Sequence, residues 1–393
     1  MKKVISIALA LLMVAVMLPV MAMAADVTDE AGLKAAVAAG GNIKLANDIE
    51  LTGTLNINAS VTIVLDLAGK KISAVMDGPH MISSAGNLTI IDSVGTGSIA
   101  KEGNSSDYGY VLENHGTMAL NGIKVTSASS VSSAIENGWY TASANTTKGP
   151  CKMTITNSDI SQANGSGGLY TIKNDDYGVM VINGGNFTNS TTGAGTVLNW
   201  NDLTINDGNF TGVAAVRTLK EGELGYEKGN TLINGGTFNG KIDTLPKYSD
   251  VQIGVMGGTF NSDVTDYVHA SPTVKDNNGK YYVGNTAKNA VENAESGSFE
   301  VLAASEGEAL NVKPGVTIVN NSNITITVNG NDVKPEKSYT VPGAPIIIYT
   351  PTEDTPKVND QKNPGTGAND LVGVAAAMAV VSLLGAAAVI RKK

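Results

Sequence analysis

The sequence predicts an all-β fold in which short strands coil into a right-handed parallel β-helix, and three observations support this prediction. Glycine accounts for 45 of the 393 residues, asparagine is also abundant, and both residues disfavour helix and strand interiors. Short apolar segments alternate with Gly- and Asn-rich turns. One phrase recurs between residues 120 and 260: apolar–x–apolar, then Asn or Asp, then Gly-Gly-x-Phe or a variant. A repeated unit of this kind indicates a stacked solenoid.

The recurring phrase aligns one apolar position in each copy. The copies span residues 120–125, 155–160, 182–187, 205–210, 233–238 and 255–260. Their last apolar residues are Val125, Ile160, Phe187, Phe210, Phe238 and Phe260. The irregular intervals between them exclude a propeller or a leucine-rich repeat, whereas loop insertions in a β-helix leave the stacked strands intact. We expect these apolar residues to stack inside successive coils, about 4.8 Å apart.

Asparagine occupies two further sets of equivalent turn positions. One set ends short apolar segments and comprises Asn114, Asn137, Asn174 and Asn199. The other follows the phrase and comprises Asn121, Asn157, Asn183, Asn206 and Asn234. We expect their amides to form ladders that satisfy backbone groups left unpaired at the turns.

A short helix is predicted at the start of the coiled region. Residues 29–39 fit a helix with Thr28 as its N-cap and a Gly-Gly stop. Leu33, Ala36 and Val37 share one apolar face, which would cover the open end of the solenoid. The first coils follow directly, and the β-helix is predicted to span residues 25–284.

The repeat pattern ends before residue 285. Residues 285–350 contain short apolar segments and Asn-Gly and Pro-Gly turns, which indicate a small β module or stalk. Residues 351–362 are rich in proline and charge and read as an extended linker.

The N-terminus has the features of a secretory signal peptide, assigned to residues 1–24. Two lysines precede an apolar run, and small residues surround a predicted cleavage site after Ala24, at Ala22, Ala24 and Ala25. We therefore expect export through the Sec pathway.

The C-terminus, residues 363–393, has three features in a fixed order. The pentapeptide Asn363-Pro364-Gly365-Thr366-Gly367 precedes an apolar run at 371–390, and a basic tail follows. The run is long enough for a transmembrane helix. This arrangement resembles the LPxTG-type cell-wall sorting signal of Gram-positive surface proteins, with Asn363 where leucine is usual. The resemblance implies that sortase cleaves between Thr366 and Gly367 and links the chain covalently to peptidoglycan. It also implies that the membrane is involved only through the C-terminal helix before processing; a plain membrane anchor is the alternative.

Charge and composition restrict the partners. The chain has 27 basic and 36 acidic residues, and its arginines are Arg217 and Arg391. Such a surface repels nucleic acid, so no nucleic-acid partner is expected. A single cysteine, Cys151, excludes an intramolecular disulfide and is expected to be buried. No metal-ligand spacing or cofactor motif is present, so no metal or cofactor is predicted.

No convincing catalytic constellation is apparent in the sequence. The best carboxylate pair is Asp175-Asp176, which resembles the paired aspartates of polygalacturonases, but the basic and histidine motifs of that family are missing. A turn pair of this kind is more often solvated than catalytic. We therefore expect a protein that is not an enzyme.

A binding site is the more favoured prediction. Aromatic residues follow the Asn turns of successive coils: His115, Trp139, Tyr140, Tyr177 and Trp200. Stacked on one edge, they could contact sugar rings while Glu113, Glu136, Asp175 and Asp202 accept hydrogen bonds from hydroxyl groups. The alternative is that the aromatic rings pack over the turns and shield the ladder.

Residues 65–70 and 257–284 resemble those of pectate-lyase-like β-helix surface proteins of Firmicutes, and the resemblance covers roughly residues 26–284. It implies the fold more than any activity. We expect a cell-wall-anchored surface protein, an adhesin that binds a glycan or a host-surface protein. The alternatives are a polysaccharide-active lyase or glycoside hydrolase, and a structural wall protein without a discrete ligand.

Overall fold

A computed structural model describes the chain over the coiled region and the module that follows it. The described residues are 26–74, 80–102, 109–129, 131–139, 149–163, 169–191, 193, 195–219, 229–244, 251–268 and 271–343. They form an all-β solenoid of about seven turns with two α-helices. The prediction of a parallel β-helix is confirmed; its handedness stays a prediction. The signal peptide, linker, sorting signal and transmembrane run all lie outside the described residues. Within those residues, neither α-helix has the length and apolar character needed to cross a membrane.

The strands of the solenoid stack in parallel into three faces. Face 1 contains β2 Gly41–Leu45, β5 Thr62–Asp66, β8 Asn87–Ile91, β11 Thr117–Asn121, β14 Cys151–Thr156, the start of β17 Gly178–Asn189, the start of β19 Asp202–Thr218, β20 Asn230–Ile233 and β22 Gln252–Val255. A short strand, β1 Asp26–Val27, pairs with β2. Alternate residues on each strand point inward, as expected for a strand with one solvated side.

Face 2 follows face 1 in each coil. It contains β3 Ile49–Glu50, β6 Lys71–Ala74, β9 Ser98–Lys101, β12 Lys124–Ser127, β15 Ser158–Gln162, the end of β17, the middle of β19, β21 Thr237–Asp243 and β23 Gly258–Phe260. The long strands β17 and β19 bend from face 1 into face 2 through register irregularities. Gly184, Gly185 and Gly208 have positive φ in these bends, a conformation that glycine adopts without a Cβ penalty.

Face 3 is built from very short strands. It contains β4 Leu55–Ile57, β7 Ile82–Ser84, β10 Leu112–Asn114, β13 Ile135–Asn137, β16 Ile172–Asn174, β18 Val197–Asn199 and the end of β19. In each of these three-residue strands the first and third side chains point into the core, so the central side chain points outward. Face 3 therefore presents one outward residue per coil.

The predicted apolar column is confirmed on face 2. Val125 pairs with Ile160, Ile160 with Phe187, and the phenylalanines continue in register through Phe210, Phe238 and Phe260. The four rings stack with centroids 4.7, 4.9 and 4.8 Å apart and are fully buried. Their spacing matches that of the stacked strands, so each ring contacts the ring of the next coil.

The buried asparagine ladder is also present. Asn114 Nδ2 donates to Asn137 Oδ1 at 2.7 Å, Asn137 Nδ2 to Asn174 Oδ1 at 2.7 Å, and Asn174 Nδ2 to Asn199 Oδ1 at 2.8 Å. The same amides donate to backbone carbonyls at the starts of the face-1 strands, such as Lys152 O and Asp202 O. The ladder thus satisfies backbone carbonyls at the corner between face 3 and face 1.

The second asparagine set forms a ladder only in part. Asn206 donates to Asn183 at 2.7 Å and Asn234 to Asn206 at 2.8 Å, on the exposed side of the bend. Asn121 instead pairs in register with Thr156, and Asn157 lies at positive φ in the turn between β14 and β15. The prediction therefore fails for these two positions, because Thr156 occupies the ladder position in its coil and Asn157 lies one residue later.

The predicted helix caps the first coil. Helix α1 spans Glu30–Ala39, and Asp29, one residue later than predicted, is its N-cap, accepting the Gly32 N–H at 2.8 Å. Leu33 and Val37 are buried in the solenoid core. Glu30 accepts hydrogen bonds from Thr52 N and Oγ1, which joins the helix to the first coil.

The three-faced parallel stack ends at β23, and a module of parallel and antiparallel pairs follows. A 3₁₀ turn at Thr265–Tyr267 leads to β24 Thr273–Asp276 and β25 Tyr281–Val283, and β25 pairs antiparallel with β23. The remaining elements are α2 Asn285–Asn293, β26 Gly297–Ala303, β27 Ala309–Leu310, β28 Val316–Asn320, β29 Ile326–Val328, β30 Asn331–Val333 and β31 Lys337–Thr340. Antiparallel strands thus begin before residue 284, and the module has its own apolar core.

Candidate functional site

A groove of about 670 Å³ lies over face 3. Its floor is the column of outward residues on that face, and its walls are the turns before and after each face-3 strand. This volume is in the range of small-molecule and oligosaccharide sites. Neither wall is flat, since the turns preceding face 3 differ in length from coil to coil.

The floor changes chemistry from one coil to the next. The central residues of β7, β10, β13, β16 and β18 are Ser83, Glu113, Glu136, Lys173 and Leu198, aligned in register. Glu113, Glu136, Lys173 and Leu198 line the groove. Four consecutive coils thus place two acids, one base and one apolar side chain along a line.

One wall holds three of the predicted aromatic residues. His115 and Trp139 stack with ring centroids 3.7 Å apart and planes at 5°, and Trp200 lies two coils further along. Backbone bonds fix all three: His115 N donates to Ser84 O, Trp139 N to Asp176 O, and Trp200 N to Asn174 O. The Lys173 ammonium lies 5.0 Å from the Trp200 ring centroid. Each of the three side chains is partly exposed.

The opposite wall was not predicted. It comes from the turns between faces 2 and 3 and contains His80, Tyr110, Val131, Ser132, Ser133, Leu169 and Tyr170. His80 stacks on Tyr110 at 5.2 Å, and the Lys173 ammonium lies 5.9 Å from the Tyr110 centroid. These residues follow no sequence repeat, so only the fold brings them together.

The structure separates the remaining predicted residues from the groove. Tyr177 lies in the turn before β17 at a φ of 62°, and Asp202 opens β19 on face 1, where it accepts from Asn230. Neither lines the groove. Both residues lie at the corner between face 3 and face 1. Tyr140 lies outside the described residues.

The Asp175-Asp176 pair is buried rather than solvated, which corrects the sequence expectation. Asp175 is 1% exposed and Asp176 6% exposed. Asp175 Oδ2 accepts from Lys173 Nζ at 2.9 Å. The pair therefore lies beside the floor and supports Lys173.

The environment of Glu136 favours its protonated form. Burial raises its pKa to about 9, with further contributions from the nearby Asp175 carboxylate, to which it is hydrogen-bonded, and from Glu113. Within the described residues, the buried Oδ1 of Asp175 has no other hydrogen-bond partner. A protonated Glu136 supplies the missing donor.

Glu113 is surrounded by a hydroxyl group and two imidazole rings. Its Oε2 accepts from Ser83 Oγ at 2.5 Å, and its Oε1 lies 3.2 Å from His80 Nε2 and 3.7 Å from His115 Nε2. His80 Nδ1 accepts the Tyr110 N–H at 3.2 Å, so the His80 proton is on Nε2, directed at Glu113. Burial lowers the pKa of His80, which favours the neutral ring. The Glu113 carboxyl group is thus held in place by Ser83 and by the two imidazole rings beside it.

Beyond Leu198, the next outward residue on face 3 is Arg217. Its guanidinium binds Asp243 through two hydrogen bonds of 2.7 Å, and both side chains are partly exposed. The cations of this face, Lys173 and Arg217, are therefore each paired with an aspartate.

The described residues contain no cluster of three or more His, Cys, Asp or Glu side chains arranged to hold a metal ion. Cys151 is buried at the start of β14, as predicted. Comparison with known proteins found no matching family, no matching curated protein and no matching solved structure.

Proposed function

We propose that the protein is a surface protein of a Gram-positive cell wall whose face-3 groove binds a glycan. The observation that carries this proposal is the pairing of partly exposed aromatic rings on both walls with a polar floor. Sugar rings have apolar faces that stack on aromatic side chains and hydroxyl edges that bind carboxyl and amine groups. A groove open along the coil axis suits an extended oligosaccharide better than a compact ligand.

Glycan-array binding tests the groove. The wild type is compared with the double variant Trp139→Ala, Trp200→Ala, which removes two partly exposed wall rings. For the glycans that the wild type binds, we expect the double variant to have at least about tenfold lower affinity. Each sugar–ring contact contributes on the order of 1 kcal/mol. The control is Leu232→Ala, which removes an exposed apolar side chain on face 1.

The outcomes separate the candidate roles. Unchanged glycan binding in the double variant would reject the groove as the site and support packing of the rings over the turns. A wild type that binds no glycan but captures a host-surface protein would replace the glycan with a protein ligand. Binding to neither would favour a structural wall protein.

Wall anchoring is the second part of the proposal. Its support is the order of pentapeptide, apolar run and basic tail in residues 363–393. Mass spectrometry of wall digests should find a C-terminal peptide that ends at Thr366 and is linked to a peptidoglycan fragment, and Thr366→Ala should abolish it. A peptide that continues intact past Gly367 would instead indicate a membrane anchor.

A further inference from the structure

Glu113 and Glu136 occupy adjacent coils at the centre of the groove floor. They are paired in register on β10 and β13, and both face outward from the core. Parallel strands are about 4.8 Å apart, so the two carboxyl groups arise from neighbouring points on one line. Retaining glycosidases hold their two carboxyl groups about 5–5.5 Å apart.

The two side chains also differ in what surrounds them. Glu113 accepts a hydrogen bond from Ser83 Oγ, and its other oxygen lies 3.2 Å from His80 Nε2, which fixes its orientation. Glu136 is hydrogen-bonded to Asp175, which already accepts from Lys173, and its environment favours the acid form. Two carboxyl groups placed side by side in a cleft, one of them held toward the acid form, can serve as an acid and a nucleophile.

We propose that the groove hydrolyses the glycan it binds, with Glu136 as the acid and Glu113 as the nucleophile. This inference rests on the proposed glycan-binding function. Glu136 gives its proton to the glycosidic oxygen while Glu113 attacks the anomeric carbon. The bond to the leaving sugar breaks and a glycosyl ester forms on Glu113.

Water completes the reaction. The Glu136 carboxylate takes a proton from a water molecule, whose oxygen attacks the anomeric carbon and releases Glu113. Glu136 is then protonated again, and one water molecule has been consumed for each bond broken. The anomeric configuration is retained, because the carbon is attacked twice from opposite sides.

The charges of the floor indicate the class of substrate. Lys173 is paired with Asp175 and Arg217 with Asp243, so both cations are already compensated by aspartates. A uronic acid placed over this floor would meet a carboxylate before any uncompensated cation. The substrate is therefore a neutral pyranoside rather than a polyuronate.

The test uses the full-length protein and the reducing-end-labelled oligosaccharides of the array, incubated in solution. We expect the wild type to shorten the oligosaccharides it binds, with products of retained configuration by proton NMR. Glu136→Gln and Glu113→Gln should each lower the rate at saturating oligosaccharide by about 10²–10⁴-fold. The rate should also fall above about pH 9, as Glu136 loses its proton. Glu50→Gln, on face 2, is the matched control.

Failure of this inference can be told from failure of the proposed function. Oligosaccharides that bind and stay intact would overturn hydrolysis and leave glycan binding in place. A Glu136→Gln variant that cleaves at the wild-type rate would overturn the assignment of the acid. Absence of binding would overturn both.

Discussion

The inward columns of the solenoid and the outward column of face 3 obey the same repeat but differ in composition. Four phenylalanines and four asparagines each follow one another through successive coils inside the solenoid. On face 3 the aligned residues are Ser83, Glu113, Glu136, Lys173 and Leu198. Identical side chains stack because each presents the same surface to the coils on either side, so an inward column serves stability. The face-3 column is mixed in residue type, so stacking of identical side chains does not account for it.

The phenylalanine column should give the largest effect on stability. Phe210 is fully buried between Phe187 and Phe238, so Phe210→Ala leaves a cavity that two coils line. We expect a loss of about 3–5 kcal/mol in the free energy of unfolding, measured by urea denaturation. Val213→Ala, at an exposed position on β19, is the control, and an equal loss in both variants would contradict the contrast between columns.

The buried asparagine ladder should give the second largest effect on stability. Asn174→Ala removes bonds to Asn199 Oδ1 and to the Gly178 and Asp202 carbonyls, and it removes the side-chain acceptor of Asn137. We expect a loss of about 2–3 kcal/mol, because the remaining buried polar groups cannot reach water. Recovery of most of this loss in Asn174→Leu would show that volume, not hydrogen bonding, is what the position requires.

Glu136 should give a pH-dependent effect that no inward column shows. Its folded pKa of about 9 lies above the unfolded value near 4.5. Between these values the folded chain holds a proton that the unfolded chain has lost, so stability falls as pH rises through this window. The slope is at most about 1.4 kcal/mol per pH unit. Glu136→Gln should remove it, and identical pH profiles for variant and wild type would argue against a protonated Glu136.

The exposed asparagine ladder should give the smallest effect. Asn206 bonds to Asn183 and Asn234, but water can replace both partners. We expect Asn206→Ala to cost less than about 0.5 kcal/mol in urea denaturation. A cost comparable to that of Asn174→Ala would mean that burial is not what separates the two ladders.

The fold was more predictable from the sequence than the groove was. Stacking requires the same residue type in each coil, so the Phe and Asn columns leave a repeat that can be read directly. Helix α2 was not predicted, because it buries only Ala287 and Val291 and its N-cap, Gly284, has no side chain to accept a capping hydrogen bond.

The sequence predicted the aromatic residues of one wall of the groove but not those of the other. His115, Trp139 and Trp200 follow the Asn turns and could be aligned from them. His80, Tyr110 and Tyr170 lie in turns of unequal length, so no spacing relates them. Lys173 was missed because its importance depends on Glu136 and Asp175, which only the register brings beside it.

The buried asparagine ladder also has a direction. Each Nδ2 donates toward the C-terminal coils, from Asn114 to Asn199, and Thr231 ends the series by accepting from Asn199 at 2.9 Å. In the exposed ladder the donors point the other way, from Asn234 to Asn183. The two rows of amide dipoles therefore oppose each other along the axis. Each row can polarise its own members, while the solenoid as a whole gains little net side-chain dipole from adding coils.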